Sequence, residues 1–494
     1  MAAPTTTIQD ATNIGPYRSR LNALVANDGG AACEGRFRYR KSGAGFDEDK
    51  LIDGDVFSYQ YIPATRGGPF WTSATTGYVM YLSGAGVNPL VYRKTTDGGS
   101  SWSDVIQISG AIDVIEGLDC WADWQTPGDS GTKIHIAYLE KDEGWVRYAS
   151  LDTSTDTLSS LVNVSPHYGQ LTFHSQAIRE HFSCSITKSR GGKLFVSYRA
   201  TDVDDAQIEG FYISTDGGAN WTSKTVPWED AEDYGQLYCG NETDTDDVWL
   251  AFWDRSATEI SLKTYDYSEN SWSEQSIASS MASHGFYLQM DGQIRKSDGH
   301  LIFTAWDAYA YTGTGNLKCW DINGAGSITA KTNLLSTVQH YFLTSVYVDQ
   351  TNDDIYVAYA GGTAMLSEVA ILYKKSTDGG ATWGSQGTVQ QDAEDDERWV
   401  SAGCAKSGTI FMPVWFNDDL DDLFCNSPVG AWVETAWANG LTTDDPFHAD
   451  ITGLTLNIEY EFQAQNKNED EGDWSSSKFF TTGFTSPLPC FRRP

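Results

Sequence analysis

One eight-residue motif occurs three times in this chain and narrows its fold more than any other feature. The copies are Thr95-Thr96-Asp97-Gly98-Gly99-Ser100-Ser101-Trp102, Ser214-Thr215-Asp216-Gly217-Gly218-Ala219-Asn220-Trp221 and Ser376-Thr377-Asp378-Gly379-Gly380-Ala381-Thr382-Trp383. Each follows a strand-like run such as Leu90-Val91-Tyr92-Arg93. The chemistry is that of a tight hairpin: the Asp carboxylate accepts backbone N–H groups, the glycines supply positive φ, and the Trp closes over the loop.

A second, fainter repeat sets the period. Short apolar runs ending in an aromatic recur as Val79-Met80-Tyr81, Ile136-Ala137-Tyr138, Val196-Ser197-Tyr198, Leu250-Ala251-Phe252, Thr304-Ala305-Trp306, Val357-Ala358-Tyr359 and Pro413-Val414-Trp415. The aromatic positions are separated by 57, 60, 54, 54, 53 and 56 residues. A spacing this regular marks a repeat architecture, and its length suits a four-stranded blade. The three motifs fall in units one, three and six, and a worn copy, Thr264-Tyr265-Asp266-Tyr267-Ser268 ahead of Trp272, falls in unit four.

The motif resembles the Asp-box of sialidase-like β-propellers. The resemblance implies an all-β chain with a β-propeller over residues 44–429, its boxes (Asp97, Gly99, Trp102; Asp216, Gly218, Trp221; Asp378, Gly380, Trp383) being structural and on the blade rim, away from any site. The repeat predicts seven blades, where sialidases have six; six remains the alternative. Unit seven stops near Pro428, and the segment Asp55-Val56-Phe57-Ser58-Tyr59-Gln60-Tyr61-Ile62 is expected to supply its outer strand, since ring closure removes exposed edges.

The chain ends do not fit the repeat. Phe447–Leu454, Tyr460–Asn466 and Lys478–Thr482 resemble the last strands of a fibronectin type III domain, and the Leu454 to Tyr460 spacing resembles that family's corner tyrosine. Ser19–Val25 and Glu34–Arg40 alternate like its opening strands. The expected organisation is a sandwich split into residues 1–43 and 430–484 by the inserted propeller, with a tail at 485–494. Two unrelated β segments flanking the propeller are the alternative.

Composition excludes several functions. The formal net charge is −34 and is spread along the chain, which argues against nucleic-acid and anionic-membrane partners. No stretch is long and apolar enough for a transmembrane helix. Met1–Thr7 has neither the basic nor the apolar region of a secretory signal. The eight cysteines show no CxxC pair or metal spacing, and Cys120, Cys184, Cys239 and Cys404 are expected as buried free thiols.

The candidate binding residues lie where the innermost strands begin. They are Trp71, Glu116, Glu180, His181, Tyr234, His284, His340, Glu397 and Arg398. Aromatics stack on pyranose faces and polar groups fix hydroxyls. A Glu pair would serve glycoside hydrolysis and a Tyr/His pair a polysaccharide lyase; the plain alternative is that these are ordinary polar residues at strand entries. Sialidase activity is not expected. That family's first carboxylate-binding Arg lies in an R-I-P motif, and here the stretch is Tyr61-Ile62-Pro63; a phenol cannot make the bidentate contact. Arg93, Arg147, Arg199 and Arg398 do not match the spacing of the family's other arginines.

No cofactor is expected. The acidic runs Asp202-Val203-Asp204-Asp205, Asp244/Asp246/Asp247 and Asp418/Asp419/Asp421/Asp422 carry carboxylates of the kind that bind Ca²⁺ but lack the spacing of a known calcium loop. The basic, Pro-rich tail Ser486–Pro494 is expected either to dock on a neighbouring subunit or to fray. The function expected from this architecture is a non-enzymatic virion or extracellular surface protein, used for decoration or adhesion and holding a glycan through the propeller. The alternative is a glycoside hydrolase or polysaccharide lyase acting at the channel mouth.

Overall fold

The computed structural model describes residues 5–15, 18–27, 32–41, 49–57, 66–84, 89–109, 115–140, 143–169, 171–172, 184–202, 207–228, 234–240, 246–254, 256–281, 290–308, 313–323, 326–362, 369–390, 397–407, 410–417, 420–427, 433–452, 459–467, 475 and 478–481. Its contacts divide the chain into two units, Met1–Phe46 with Val429–Pro494, and Asp47–Pro428. Both are all-β. Among the described residues no helix is long and apolar enough to cross a membrane.

Among the described residues the Asp47–Pro428 unit contains seven sheets that follow one another along the chain. The inner strands of six of them are Phe70–Trp71, Ile115–Ala122, Cys184–Lys188 (with Leu171–Thr172 ahead of it on the same neighbour), Tyr234–Cys239, Met290–Arg295 and Tyr341–Val348. The seventh begins with Glu397–Ser401. From the second sheet onward each inner strand packs on the next. The aromatic repeat marks the second strand of every sheet. Tyr81, Tyr138, Tyr198, Phe252, Trp306, Tyr359 and Trp415 are all buried there. These strands are covered on both faces, as Gly77–Leu82 and Val248–Asp254 show, so they read as apolar runs rather than as alternation. Burial fades outward: Ile106–Gln107 and Thr222–Ser223, at the outer edges of the first and third sheets, are exposed.

The three Asp-boxes join the third and fourth strands of the first, third and sixth sheets. In the second box Asp216 Oδ1 accepts from Ser214 Oγ and from Asn220 N–H, both at 2.9 Å, while Gly218 N–H donates to Ser214 Oγ at 2.8 Å. The first and third boxes repeat the pattern on Asp97 and Asp378. The Asn220 amides and the Ser214 hydroxyl pull the Asp216 carboxyl down to about 2.

Each box also touches the sheet before it. A Cβ on Gly218, whose φ is +96°, would meet the Tyr148 ring of the second sheet at 2.1 Å. A Cβ on Gly380 would sit 3.2 Å from Lys331, beside the fifth sheet, and one on Gly99 would sit 2.7 Å from Met412, beside the seventh. Trp383 Nε1 donates to Thr332 O at 2.9 Å. In the worn copy, Trp272 Nε1 donates to Thr225 O at 2.8 Å in the same manner.

The first and seventh sheets exchange strands. Cys404–Ala405 pairs in parallel with Phe70–Trp71, and Lys50–Asp53 pairs antiparallel with Asp422–Cys425. The outer strand of the seventh sheet is therefore Lys50–Asp53, not the expected segment 55–62. Ile52 is buried in it, and Asp53 is fixed by Arg93 at 3.1 Å and by the Tyr81 hydroxyl. Val56 instead bridges Ser83 of the first sheet, and residues 58–65 lie outside the described residues.

The other unit is built from both chain ends. One sheet is ordered Thr5–Gly15, Arg18–Asn27, Pro446–Thr452; in the other, Cys33–Lys41 pairs with Glu459–Lys467, which pairs with Lys478–Thr481. Val433–Glu434 and Ala438–Leu441 also pair with Cys33–Lys41. Leu21, Ala23 and Val25 alternate into the core that both sheets share with Phe37, Phe447, Ile451 and Phe462. Gly35 is required by this packing, since a Cβ there would lie 2.8 Å from the Phe447 ring.

Candidate functional site

The inner strands of the larger unit converge on a buried ionic cluster that no sequence motif marks. Arg66 Nε donates to Asp119 Oδ1 at 3.0 Å, and its Nη2 donates to Asp119 Oδ2. The remaining guanidinium contacts are to Leu237 O at 2.9 Å, Ser185 Oγ at 3.0 Å and Ile186 O at 3.2 Å. One side chain thus ties the second, third and fourth sheets together. Burial works against the charge on Arg66, but the Asp119 carboxylate outweighs it and holds the guanidinium protonated. The Trp121 and Tyr238 rings lie 5.2 and 5.1 Å from its centre.

Asp291 lies on the inner strand of the fifth sheet and is also buried. It borders a cavity of about 20 Å³, room for roughly one water. A second buried cluster, His135 between Asp123 Oδ1 (3.0 Å) and the Tyr148 hydroxyl (2.8 Å), joins a second-sheet strand to Lys188 of the third. Burial lowers the His135 imidazole's proton affinity, so it stays neutral.

Of the candidate residues, Glu116, Tyr234, Glu397 and Arg398 have their backbones at the starts of inner strands. Glu116 is the second residue of Ile115–Ala122, Tyr234 opens Tyr234–Cys239, and Glu397 and Arg398 open Glu397–Ser401. Their side chains lie outside the described residues, as do Glu180, His181 and His284 altogether. His340 immediately precedes Tyr341–Val348; it is half-buried, with φ of +62°, and its carbonyl accepts from Gly362 N–H at 3.0 Å. Trp71 departs from expectation as a stacking platform. It is fully buried, its ring 6.5 Å from Trp102 of the first Asp-box, and no face is open to a ligand. The Trp102 indole covers it because the box folds back over the first strand.

Of the arginines set aside in the sequence, Arg93, Arg147 and Arg199 have described side chains, each beside a carboxylate. Arg93 pairs with Asp53 and Arg147 with Glu140 at 2.6 Å, while Arg199 lies 4.0 Å from Glu209. Of the acidic runs, Asp246 is held by Lys193, and Asp247 Oδ1 accepts from Tyr267 N–H at 2.9 Å. Among the described residues no group of three or more His, Cys, Asp or Glu side chains is placed to hold a metal ion. Seven cysteines, Cys33, Cys120, Cys184, Cys239, Cys319, Cys404 and Cys425, are buried free thiols. The tail 482–494 lies outside the described residues.

An open concavity lies on the flank of the unit, between the fourth and fifth sheets. This open groove of about 400 Å³ is lined by Ser276, Ser279, Lys318, Trp320, Lys331 and Asn333, among others. Lys318 lies 3.0 Å from Asp307 and Lys331 3.3 Å from Asp321. None of the groove's lining residues is a carboxylate. Nothing in the sequence pointed here, because the lysines come from a strand and a turn that read as ordinary solvated positions.

No protein-family model matches the chain, and no curated protein matches it. Among solved structures it is similar to β-propeller carbohydrate-active enzymes. An ulvan lyase of polysaccharide lyase family 25, bound to GlcA(1-4)Rha3S, aligns at 11% identity over 80% of this chain and 98% of that one, with a TM-score of 0.47. A protein of unknown function from Dyadobacter fermentans aligns at 12% identity over 66% and 95%, with a TM-score of 0.42. A Hadza microbial sialidase aligns at 13% identity over 74% and 65%, with a TM-score of 0.39.

Proposed function

We propose that this chain is a non-enzymatic glycan-binding protein of a virion or cell surface. In this reading residues 47–428 form a seven-bladed propeller and the two chain ends form a fibronectin type III-like sandwich that attaches it. The succession of seven sheets, with strands exchanged between the first and the seventh, supports the ring. The pairing of Arg18–Asn27 with Pro446–Thr452 and of Cys33–Lys41 with Glu459–Lys467 supports the split sandwich.

The observation that carries the binding role is the flank groove. Its volume suits a short saccharide, Ser276, Ser279 and Asn333 offer hydroxyl and amide partners, and Lys318 and Lys331 supply positive charge on a strongly acidic protein. An acidic sugar, a uronate or sulfate ester, would compete with Asp307 and Asp321 for these two ammonium groups. Hydrolysis needs two carboxylates flanking the scissile bond, and the groove's lining offers none. The test is retention of acidic oligosaccharides by the purified protein, with mass spectrometry of the recovered glycans. Intact, retained glycans, lost on Lys318→Glu/Lys331→Glu, are expected. Shortened or unsaturated products, or retention unchanged by the charge reversal, overturn the reading.

A further inference from the structure

Arg66, Arg93, Arg147, Arg199 and Arg295 of the larger unit each lie beside a carboxylate. Arg190 does not. Its Nε and Nη2 are buried and have no hydrogen-bond partner among the described residues. This is the edge of the guanidinium with which Arg66 clasps Asp119 and Arg20 clasps Asp450, Nε on one carboxylate oxygen and Nη2 on the other. A buried donor edge without an acceptor is costly, and a pair of anionic oxygens is what its geometry fits.

Arg190 lies in the turn after the third sheet's inner strand, Cys184–Lys188. Its guanidinium reaches the corresponding turn of the fifth sheet, where a Cβ on Gly299 would lie 2.0 Å from Nη2. That turn also carries Lys296, half-buried and directly after Met290–Arg295. Lys406 follows Cys404–Ala405, the strand that pairs the seventh sheet with the first. Its Nζ donates to two backbone carbonyls of the second sheet's turn, Ser130 O at 3.1 Å and Gly131 O at 2.9 Å, and stands 5.7 Å from the Trp124 ring. Burial lowers the proton affinity of Lys296, and the like charge of Lys406 adds to the effect against the Cys404 thiol. Among the described residues no carboxylate lies within 4.0 Å of Arg190, Lys296 or Lys406. Asp123 and Asp129 are taken by Lys188, Asp246 by Lys193 and Asp298 by Arg295. Three cations from the third, fifth and seventh sheets thus stand without a counter-charge where the inner strands end, on a chain of net charge −34.

We propose that Arg190, Lys296 and Lys406 form a binding site for one divalent tetrahedral oxyanion, a phosphate or sulfate group. A guanidinium fork takes two oxygens of such a group, and ammonium groups take the others as point charges. A carboxylate brings a single charge and leaves two of the three cations unmatched. The site shares no residue with the flank groove and does not rest on the reading of that groove. It also lies at the ends of the inner strands, whereas Glu116, Tyr234 and Glu397 lie at their starts.

The test is isothermal titration calorimetry of the full chain with inorganic phosphate, inorganic sulfate, methyl phosphate and acetate, at neutral pH and fixed ionic strength in chloride. One phosphate or sulfate group is expected to bind per chain, and acetate is not. Each of Arg190→Gln, Lys296→Gln and Lys406→Gln should weaken binding about tenfold, the loss of one charge-assisted donor. Lys224→Gln, beside the outer strand Thr222–Ser223 of the third sheet, should leave it unchanged. Methyl phosphate bound as tightly as inorganic phosphate supports the proposal with an esterified group as the ligand; binding of the inorganic ions alone supports it with the free ion. No binding of phosphate, sulfate or methyl phosphate overturns the proposal, as does acetate bound equally well. Binding undiminished in Lys296→Gln/Lys406→Gln overturns it too, because the anion then sits elsewhere, the flank groove included. If the double variant does not fold, Lys296→Gln is read in its place, and undiminished binding overturns the proposal equally.

Discussion

Neighbouring glycines of the second Asp-box separate the conformational need for glycine from the packing of the box on the sheet before it. Gly217 has φ of +74° and a Cβ there would meet nothing within 4 Å, whereas Gly218 has φ of +96° and a Cβ there would lie 2.1 Å from the Tyr148 ring. Gly217→Ala therefore costs only the left-handed penalty, about 1–2 kcal/mol. Gly218→Ala adds an overpacking cost of about 1–3 kcal/mol, because the ring it meets is wedged between Trp221 at 5.3 Å and His135 at 6.0 Å. The third box is the control: Gly380→Ala meets Lys331 carbons at 3.2 and 3.3 Å, and a side chain able to shift a few tenths of an ångström adds less than about 1 kcal/mol. Urea denaturation of the three variants gives the ranking directly. Repeating Gly218→Ala in a Tyr148→Ala background should reduce its cost to that of Gly217→Ala. Equal costs for Gly217→Ala and Gly218→Ala in the wild-type background would refute the claim that the box is seated on the preceding sheet.

Two further outcomes follow from the buried polar groups. Arg66→Met leaves Asp119 as an unpaired buried charge and should destabilise by about 3–5 kcal/mol, most of which Arg66→Met/Asp119→Asn recovers; calorimetric or urea unfolding reads both. Burial pushes the Cys239, Cys319, Cys404 and Cys425 thiols up to about 12, so Ellman's reagent at pH 8 should label none of the seven described cysteines in the folded chain, and all eight cysteines after denaturation.

The second strands were legible because burial on both faces leaves a strong local mark, an apolar run closed by a large aromatic such as Tyr138 or Phe252. The boxes were legible because Asp97, Asp216 and Asp378 bind within four residues of themselves. The Arg66–Asp119 pair left no such trace, since its partners come from three sheets and Arg66 sits in a polar, Gly-rich stretch. Thr5–Gly15 reads as a polar tail, and only its pairing with Arg18–Asn27 makes it a strand. Trp71 illustrates the limit at the site. An aromatic at a strand entry has the same sequence signature whether it faces a sugar or lies under Trp102, and the difference is made by a box thirty residues away.

The smaller unit's dependence on both chain ends sets an order of events during synthesis. Leu21, Val25 and Phe37 emerge first, yet the strands that cover them, Pro446–Thr452 and Glu459–Lys467, come more than four hundred residues later. At about 5–20 residues per second the ribosome leaves those apolar strands without their native partners for tens of seconds. The outer strand Lys50–Asp53 waits nearly as long for Asp422–Cys425. The intervening sheets, each a local meander, can form meanwhile, so the chain's earliest residues are among the last to find their places.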